Sequence, residues 1–279
     1  MHMVRNFRRS PGAIAGALCL ILVVGAAAAA PWLTPQSPTL VRVQDRLLRP
    51  LIVQGGIRHW LGTDPLGRDV LSRLLVGARI SLFVGLTAVV IGGSLGTIIG
   101  LVSGYFGGWT DRIIMRVGDV QLAFPFILLA LAVMAVLGPG LGNIIGVLGL
   151  TSWVTYARVV RSEVLSVRER EFVQAARAMG APVVRILLVH ALPNVVGTVM
   201  VVGTFSVAGT ILSEAGLSFL GLGVGASTPT WGAMLADARE YMTDAWWLTA
   251  FPGLAILMTV LGVNLMGDWL RDYLDPRLR

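Results

Sequence analysis

No lysine occurs anywhere in the 279 residues; all 22 basic side chains are arginine. That absence excludes lysine-dependent chemistry, both Schiff-base catalysis and the phosphate-binding lysine of a P-loop. Charge of either sign is scarce, at 13% of residues, where a soluble domain carries roughly 25%. The single cysteine, Cys19, sits in an apolar run and excludes an internal disulfide. The three histidines, His2, His59 and His190, lie far apart and suggest no metal cluster. No G-x-S-x-G turn is present and Ser218 has no histidine near it, so an intramembrane hydrolase has no constellation to stand on.

What is abundant is apolar side chain, 55% of the chain. One soluble core cannot hide that much and still clothe its surface. Disorder needs the opposite composition. The remaining class is an all-α polytopic membrane protein. In that setting the formal charge of +7 points to arginines facing the cytoplasm or anionic lipid, and to no nucleic-acid partner.

A bilayer core needs about 20 apolar helical residues. Gly12–Leu33 is the first span. Its flank of Arg5, Arg8 and Arg9 and the run Ala26–Ala30 resemble a cleavable signal, but the apolar core is too long, so an uncleaved helix is expected. Ile80–Val102 is the second. The uncharged stretch Val120–Ala157 is too long for one crossing, and Gly138-Pro139-Gly140 divides it into a hairpin of two. Asn194–Ser213 and Ala245–Gly267 complete six. Ala215–Ala236 also lacks charge, but its five glycines, Pro229 and the hydroxyls of Ser218, Ser227, Thr228 and Thr230 read as an irregular re-entrant or surface segment. With both termini inside, fourteen arginines fall on inner segments and eight on outer ones, the polarity expected of a six-span membrane protein.

The inner loop 158–192 is the most informative segment. Phe172, Ala175, Ala176 and Met179 recur at i, i+3, i+4 and i+7 as one small apolar face, with Arg170, Gln174 and Arg177 opposite. Gly180 supplies a helix stop and Pro182 bars continuation; a second short helix runs toward Leu192-Pro193. Periodicity alone fits either a helix lying on the bilayer or one docking on another protein.

The segment QAARAMG followed by HALPN resembles the glutamate-alanine-alanine loop of binding-protein-dependent ABC importer permeases, with Gln174 where glutamate is usual and His190 where isoleucine is frequent. GTDPLGRDVLSRLLVGARISL at 62–82, GYFGGWTDRIIMR at 104–116 and LSEAGLSFLGLGV at 212–224 are similar to the C-type permease of dipeptide and oligopeptide importers. So are WGAMLADAR at 231–239, FPGL at 251–254 and GDWLRDYLDPRLR at 267–279. The resemblance implies a type I ABC importer permease fold with six transmembrane helices and cytoplasmic termini. It divides the chain into a first helix at 1–33, an extracytoplasmic loop at 34–79 and a core domain at 80–279. It implies a heterodimer with a sister permease, two ATP-binding subunits that hold ATP and Mg, and an extracytoplasmic solute-binding protein. It leaves peptide, nickel or another small cargo open. Glu171, Phe172, Gln174, Ala175, Ala176, Met179, Gly180, Ala181, Leu192 and Pro193 become the ATPase-coupling loop. Glu214, Ser218 and Phe219 become candidates for the translocation path or its gate.

Other charges have bland readings. Glu214 is a functional candidate as an acid near the membrane, or orients the irregular segment after it. Asp119 reads as a snorkelling or helix-start residue. Asp64, Arg68 and Asp69 read as a structural network. Asp237 and Glu240 read as a solvated face. Trp231, Trp246 and Trp247 suit an outer interfacial belt, and Trp231 alternatively a docking surface for the solute receptor. A secondary transporter would show inverted repeats and an ion site of broken helices at midplane; no convincing repeat is visible.

Overall fold

The computed structural model describes residues 7–8, 10–225 and 228–274. Arg5, Arg9, Arg277 and Arg279 of the arginine count, together with His2 and Ser227, lie outside the described residues. The described chain is helical apart from one hairpin. In order it runs α1 (Pro11–Leu33), β1 (Ile52–Gln54), β2 (Ile57–His59), α2 (Val70–Phe106), α3 (Gly108–Ala123), α4 (Phe126–Leu137) and α5 (Leu141–Val167). Then follow α6 (Glu171–Ala178), α7 (Val183–Phe219), α8 (Trp231–Ala238) and α9 (Trp247–Leu274). Five helices, α1, α2, α5, α7 and α9, are long and apolar enough to cross a membrane. The pair α3–α4 passes the same test jointly but is bent by 88°, a sixth and broken span. Inner and outer below follow the arginine balance.

The helix starts are locally dictated. Ser10 caps α1, its Oγ accepting from the Ala13 amide, with Pro11 at the first turn where a missing N–H costs nothing. Asp69 caps α2, its carboxylate accepting from the amide and hydroxyl of Ser72. That cap starts α2 ten residues before the predicted Ile80, because charged Arg73 and Arg79 do not end a helix whose outer turns stand above the hydrocarbon. At 37 residues α2 is about 55 Å long, well beyond a bilayer core of about 30 Å.

The predicted third span, straight from Val120 to Leu137, is wrong in shape. Pro125 disfavours helix at Phe124, which is extended at ψ 130, and the chain turns there. α4 has 12 residues, about 18 Å, too few to cross alone. The fifth span starts at Val183 rather than Asn194. Pro193 lies inside it and is accommodated by a π-helical stretch, Ile186–Ala191, in which the Leu192 amide reaches back to Leu187. The wider turn relieves the clash that a proline ring makes with the carbonyl four residues earlier. The segment 215–236 is less irregular than expected. α7 continues to Phe219 and stops at Gly221, whose φ is +84, with the Leu222 amide bonded to the Leu217 carbonyl. Thr230 then caps α8.

Helix packing rests on small residues. Gly92, Gly96, Gly100 and Gly104 form a stripe on α2 against α5. A β-carbon at Gly96 would stand 2.4 Å from the Trp153 carbonyl oxygen, and one at Gly100 2.7 Å from that of Ala157. Gly16 of α1 and Gly262 of α9 meet in the same way. Without water to expel between helices, close van der Waals contact is the main attraction left. The outer ends of α1, α2, α8 and α9 enclose a second core around Trp231 and Trp247.

The hairpin β1–β2 was not anticipated. It turns at Gly55-Gly56, both at positive φ, the requirement of a two-residue hairpin loop. Gly-Gly between the short runs Leu51–Gln54 and Ile57–His59 was the readable signal.

Candidate functional site

The inner loop is built outward from α5. Arg168 caps that helix and its Nη1 donates to the Gly104 carbonyl at 3.0 Å, tying the loop to the inner end of α2. α6 begins after Arg170 and ends in a paired cap: the Gly180 amide bonds to the Arg177 carbonyl and the Ala181 amide to that of Ala176, both at 3.0 Å. Gly180 takes φ +77 with open space around it, so its requirement is conformational rather than steric. Arg177 lies over the Tyr105 ring at 5.2 Å. His190 packs beside Phe172, ring centroids 6.1 Å apart. The Gln174 amide donates to the Glu169 carbonyl at 3.1 Å, a bond within the loop.

The predicted apolar face divides in two. Val173 points inward and is buried with Val167 and Ile186, against half-buried Ala181, and Ala176 is buried too. Ala175 and Met179 face away from the chain, Met179 at 81% exposure; Phe172 is exposed on one side while it packs beside His190, and Glu171 and Gln174 are exposed too. Ala176 therefore packs the loop on its own protein. Leu192 and Pro193 lie inside α7, directly after its π-helical stretch, Leu192 half-buried against the cluster of Leu101, Val160 and Val164 and Pro193 exposed.

Glu214 and Ser218 lie one turn apart at the outer end of α7 and are buried inside this chain. The Ser218 hydroxyl donates to Glu214 Oε1 at 2.7 Å, while Oε2 has no hydrogen-bond partner among the described residues. Phe219 is half-buried beneath Arg239. Close by, the Trp231 amide donates to Ser81 Oγ at 3.3 Å and its indole to the Leu74 carbonyl at 3.2 Å. Trp231 and Trp247 are 1% and 2% exposed. They are core residues, so the interfacial belt expected of them is corrected; Trp246 alone of the three is exposed. The docking alternative for Trp231 falls with it.

The network read around Asp64 is present and larger than expected. Asp64 accepts from Arg68 and Arg73, and both arginines also donate to Asp237 of α8, at 2.8 and 2.9 Å. Asp237 is thus a clasp between the approach to α2 and α8, not one half of a solvated pair with Glu240. His59 Nδ1 lies 3.1 Å from the Asp69 carboxylate, both buried. Asp119 is not at a helix start. It lies in the last turns of α3 and pairs with Arg158 of α5 at 2.6 Å. A second pair on the same two helices, Arg161 with Asp111, stands nearer the inner end. Sequence reasoning missed both pairs, since partners 39 and 50 residues apart leave no local signal.

These features can be set beside known proteins. Residues 96–279 match the family described as binding-protein-dependent transport system inner membrane component, and residues 2–50 match the N-terminal transmembrane domain of oligopeptide transport permease C. The chain is 45% identical to the di/tripeptide transport system permease protein DppC of Pseudomonas aeruginosa, over 99% of this chain and 91% of that one. It is 46% identical to the glutathione transport system permease protein GsiD of Escherichia coli, over 99% and 89%. A solved amino acid ABC transporter has the same fold, with a TM-score of 0.54 at 14% identity over 71% of this chain and 93% of that one. The protein is a multi-pass component of the bacterial inner membrane, and it belongs to the binding-protein-dependent transport system inner membrane components, with the N-terminal domain of the oligopeptide permease C type.

Proposed function

We propose that this protein is one of two permease subunits of an ATP-driven importer of small peptides. A sister permease completes the translocation path. Two ATP-binding subunits dock on the inner loop and hold the ATP and Mg, none of which binds this chain. An extracytoplasmic solute-binding protein delivers cargo to the outer face. The observation that carries the reading is the outward apolar strip Phe172, Ala175 and Met179 on a helix whose other face is anchored in the chain. An anchored helix moves its neighbours when a partner moves it. α7 then carries the movement about 47 Å to the outer junction at Glu214. Closing of the ATPases would rock the two permeases between inward- and outward-facing states. The peptide cargo is supported by the two relatives, which are named for di/tripeptides and for glutathione.

The test is ATP hydrolysis by the purified assembly in lipid, with its solute receptor. Di- and tripeptides or glutathione should stimulate it, and this chain alone should neither bind nor hydrolyse ATP. Stimulation by nickel and by no peptide would overturn the cargo; micromolar ATP binding by the isolated chain would overturn the subunit's role.

A further inference from the structure

The pair Asp119–Arg158 stands where an ion pair has little structural reason to be. Asp119 lies eight residues, about 12 Å, along α3 from Asp111, and its partner Arg158 lies three residues, about 4.5 Å, along α5 from Arg161. Arg158 follows Ala157, which packs between Gly96 and Gly100 of α2, inside the run Ile80–Val102 that carries no charge. At that depth both side chains are about half exposed, 53% and 47%. Charges facing hydrocarbon cost several kcal/mol each, so membrane-embedded ionic groups face water or protein.

The pair is also not needed to hold α3 on α5. On its outer side the Trp153 indole donates to Gln121 Oε1 at 2.9 Å, and the Gln121 amide to the Thr151 carbonyl at 2.7 Å. Between them Gly118 sits against Val154. On its inner side Arg161 is paired with Asp111. An exposed pair between two such ties adds about 0–1 kcal/mol.

We infer that Asp119 and Arg158 form a cargo-facing charge pair in the inner half of the translocation path, which opens to hold the two charged ends of a small peptide. The inference rests on the peptide-import reading. The peptide ammonium takes the place of the guanidinium on Asp119. The peptide carboxylate takes the place of Asp119 on Arg158, where the planar guanidinium offers two parallel donors.

The experiment uses the complete importer in proteoliposomes with saturating loaded receptor. Wild-type import of a free tripeptide is the reference; its absence would sink the peptide-import reading itself. Arg158→Gln should slow import of the free peptide about tenfold, the effect of one lost charge-assisted contact, and abolish discrimination against the C-terminally amidated peptide. Asp119→Asn should do the same for the N-acetylated peptide. A cysteine replacing Asp119 in a Cys19→Ser background should react with a charged thiol reagent from the inner side, more slowly during turnover with peptide. The exchange Asp119→Arg with Arg158→Asp keeps the pair but reverses its polarity, and should not restore either discrimination. Full restoration by the exchange, unaltered discrimination in both single variants, or an unreactive cysteine would each overturn the proposal, as a helix tie or a contact with the sister subunit or lipid.

Discussion

At the residue scale, Gly180 and Ala176 show what a sequence does and does not reveal. Gly180 was readable as a stop, and its φ of +77 is what a β-branched residue resists, at about 1–2 kcal/mol. Ala176 was assigned to an outward face, yet it is buried. The i, i+3, i+4, i+7 pattern finds an apolar stripe but not which body covers it. α6 has two stripes, one for its own chain and one free. Ala176→Glu would therefore break the loop's internal packing before it touched docking. Met179→Glu is the cleaner probe, because the side chain is almost wholly exposed and the substitution should change stability by no more than about 0.5 kcal/mol. If Met179 fills a pocket of the ATP-binding subunit, the loss should be about 2 kcal/mol, near thirtyfold in affinity. The measurement is co-purification of the ATPases beside thermal unfolding of the membrane protein. Undiminished co-purification and uptake would return α6 to the role of a helix lying on the bilayer.

At the element scale, span count and order were legible from run length together with glycine and proline content and the arginine balance, and element shape was not. Pro125 carried the information that α3 and α4 part company, but 38 uncharged residues with Gly138-Pro139-Gly140 at their middle drew the break to the wrong place first. The extension of α2 was hidden because Arg73 and Arg79 look like loop residues; Asp64 and Asp237 supply the partners of Arg73. Trp231 and Trp247 looked interfacial because aromatic residues near span ends usually are; the partners that bury them come from Leu74 and Thr63, over 150 residues away. The glycine stripe yields a sharp expectation. Gly96→Val must push α2 from α5, since the β-carbon meets backbone rather than a movable side chain, and overpacking costs about 1–3 kcal/mol. Gly146→Val in α5, with open space around it, makes the same chemical change without the clash. Thermal unfolding in detergent should fall for the first and hold for the second; equal behaviour would mean the seam is looser than its geometry.

At the scale of the whole molecule, the helices alternate in direction through six crossings if α3–α4 is one broken span. That places the β1–β2 hairpin and α6 on opposite sides. With Cys19→Ser as background, Val53→Cys on the hairpin should be labelled by an impermeant thiol reagent added to intact cells. Met179→Cys should be labelled only after the membrane is opened. The opposite pattern would invert the topology and with it the docking side of the loop. The orientation is the one the arginine balance assigns, although that balance leaves seven arginines on the outer loop 34–79. Two of those, Arg68 and Arg73, are held by carboxylates in a folded cap, so they are structural members of the outer surface. Three-dimensional pairing, which no local rule encodes, accounts for those two of the seven.

The seam between α2 and α5 also has a genetic consequence. Every glycine codon begins with two guanines, and any single-base change at either of them replaces glycine by a residue with a β-carbon or by a stop. At positions 92, 96, 100 and 104 the protein thus has no neighbouring amino-acid variant that fits without moving a helix. Those four codons form a mutational target without intermediate steps, while Gly142 and Gly146, with open space about them, are free to drift.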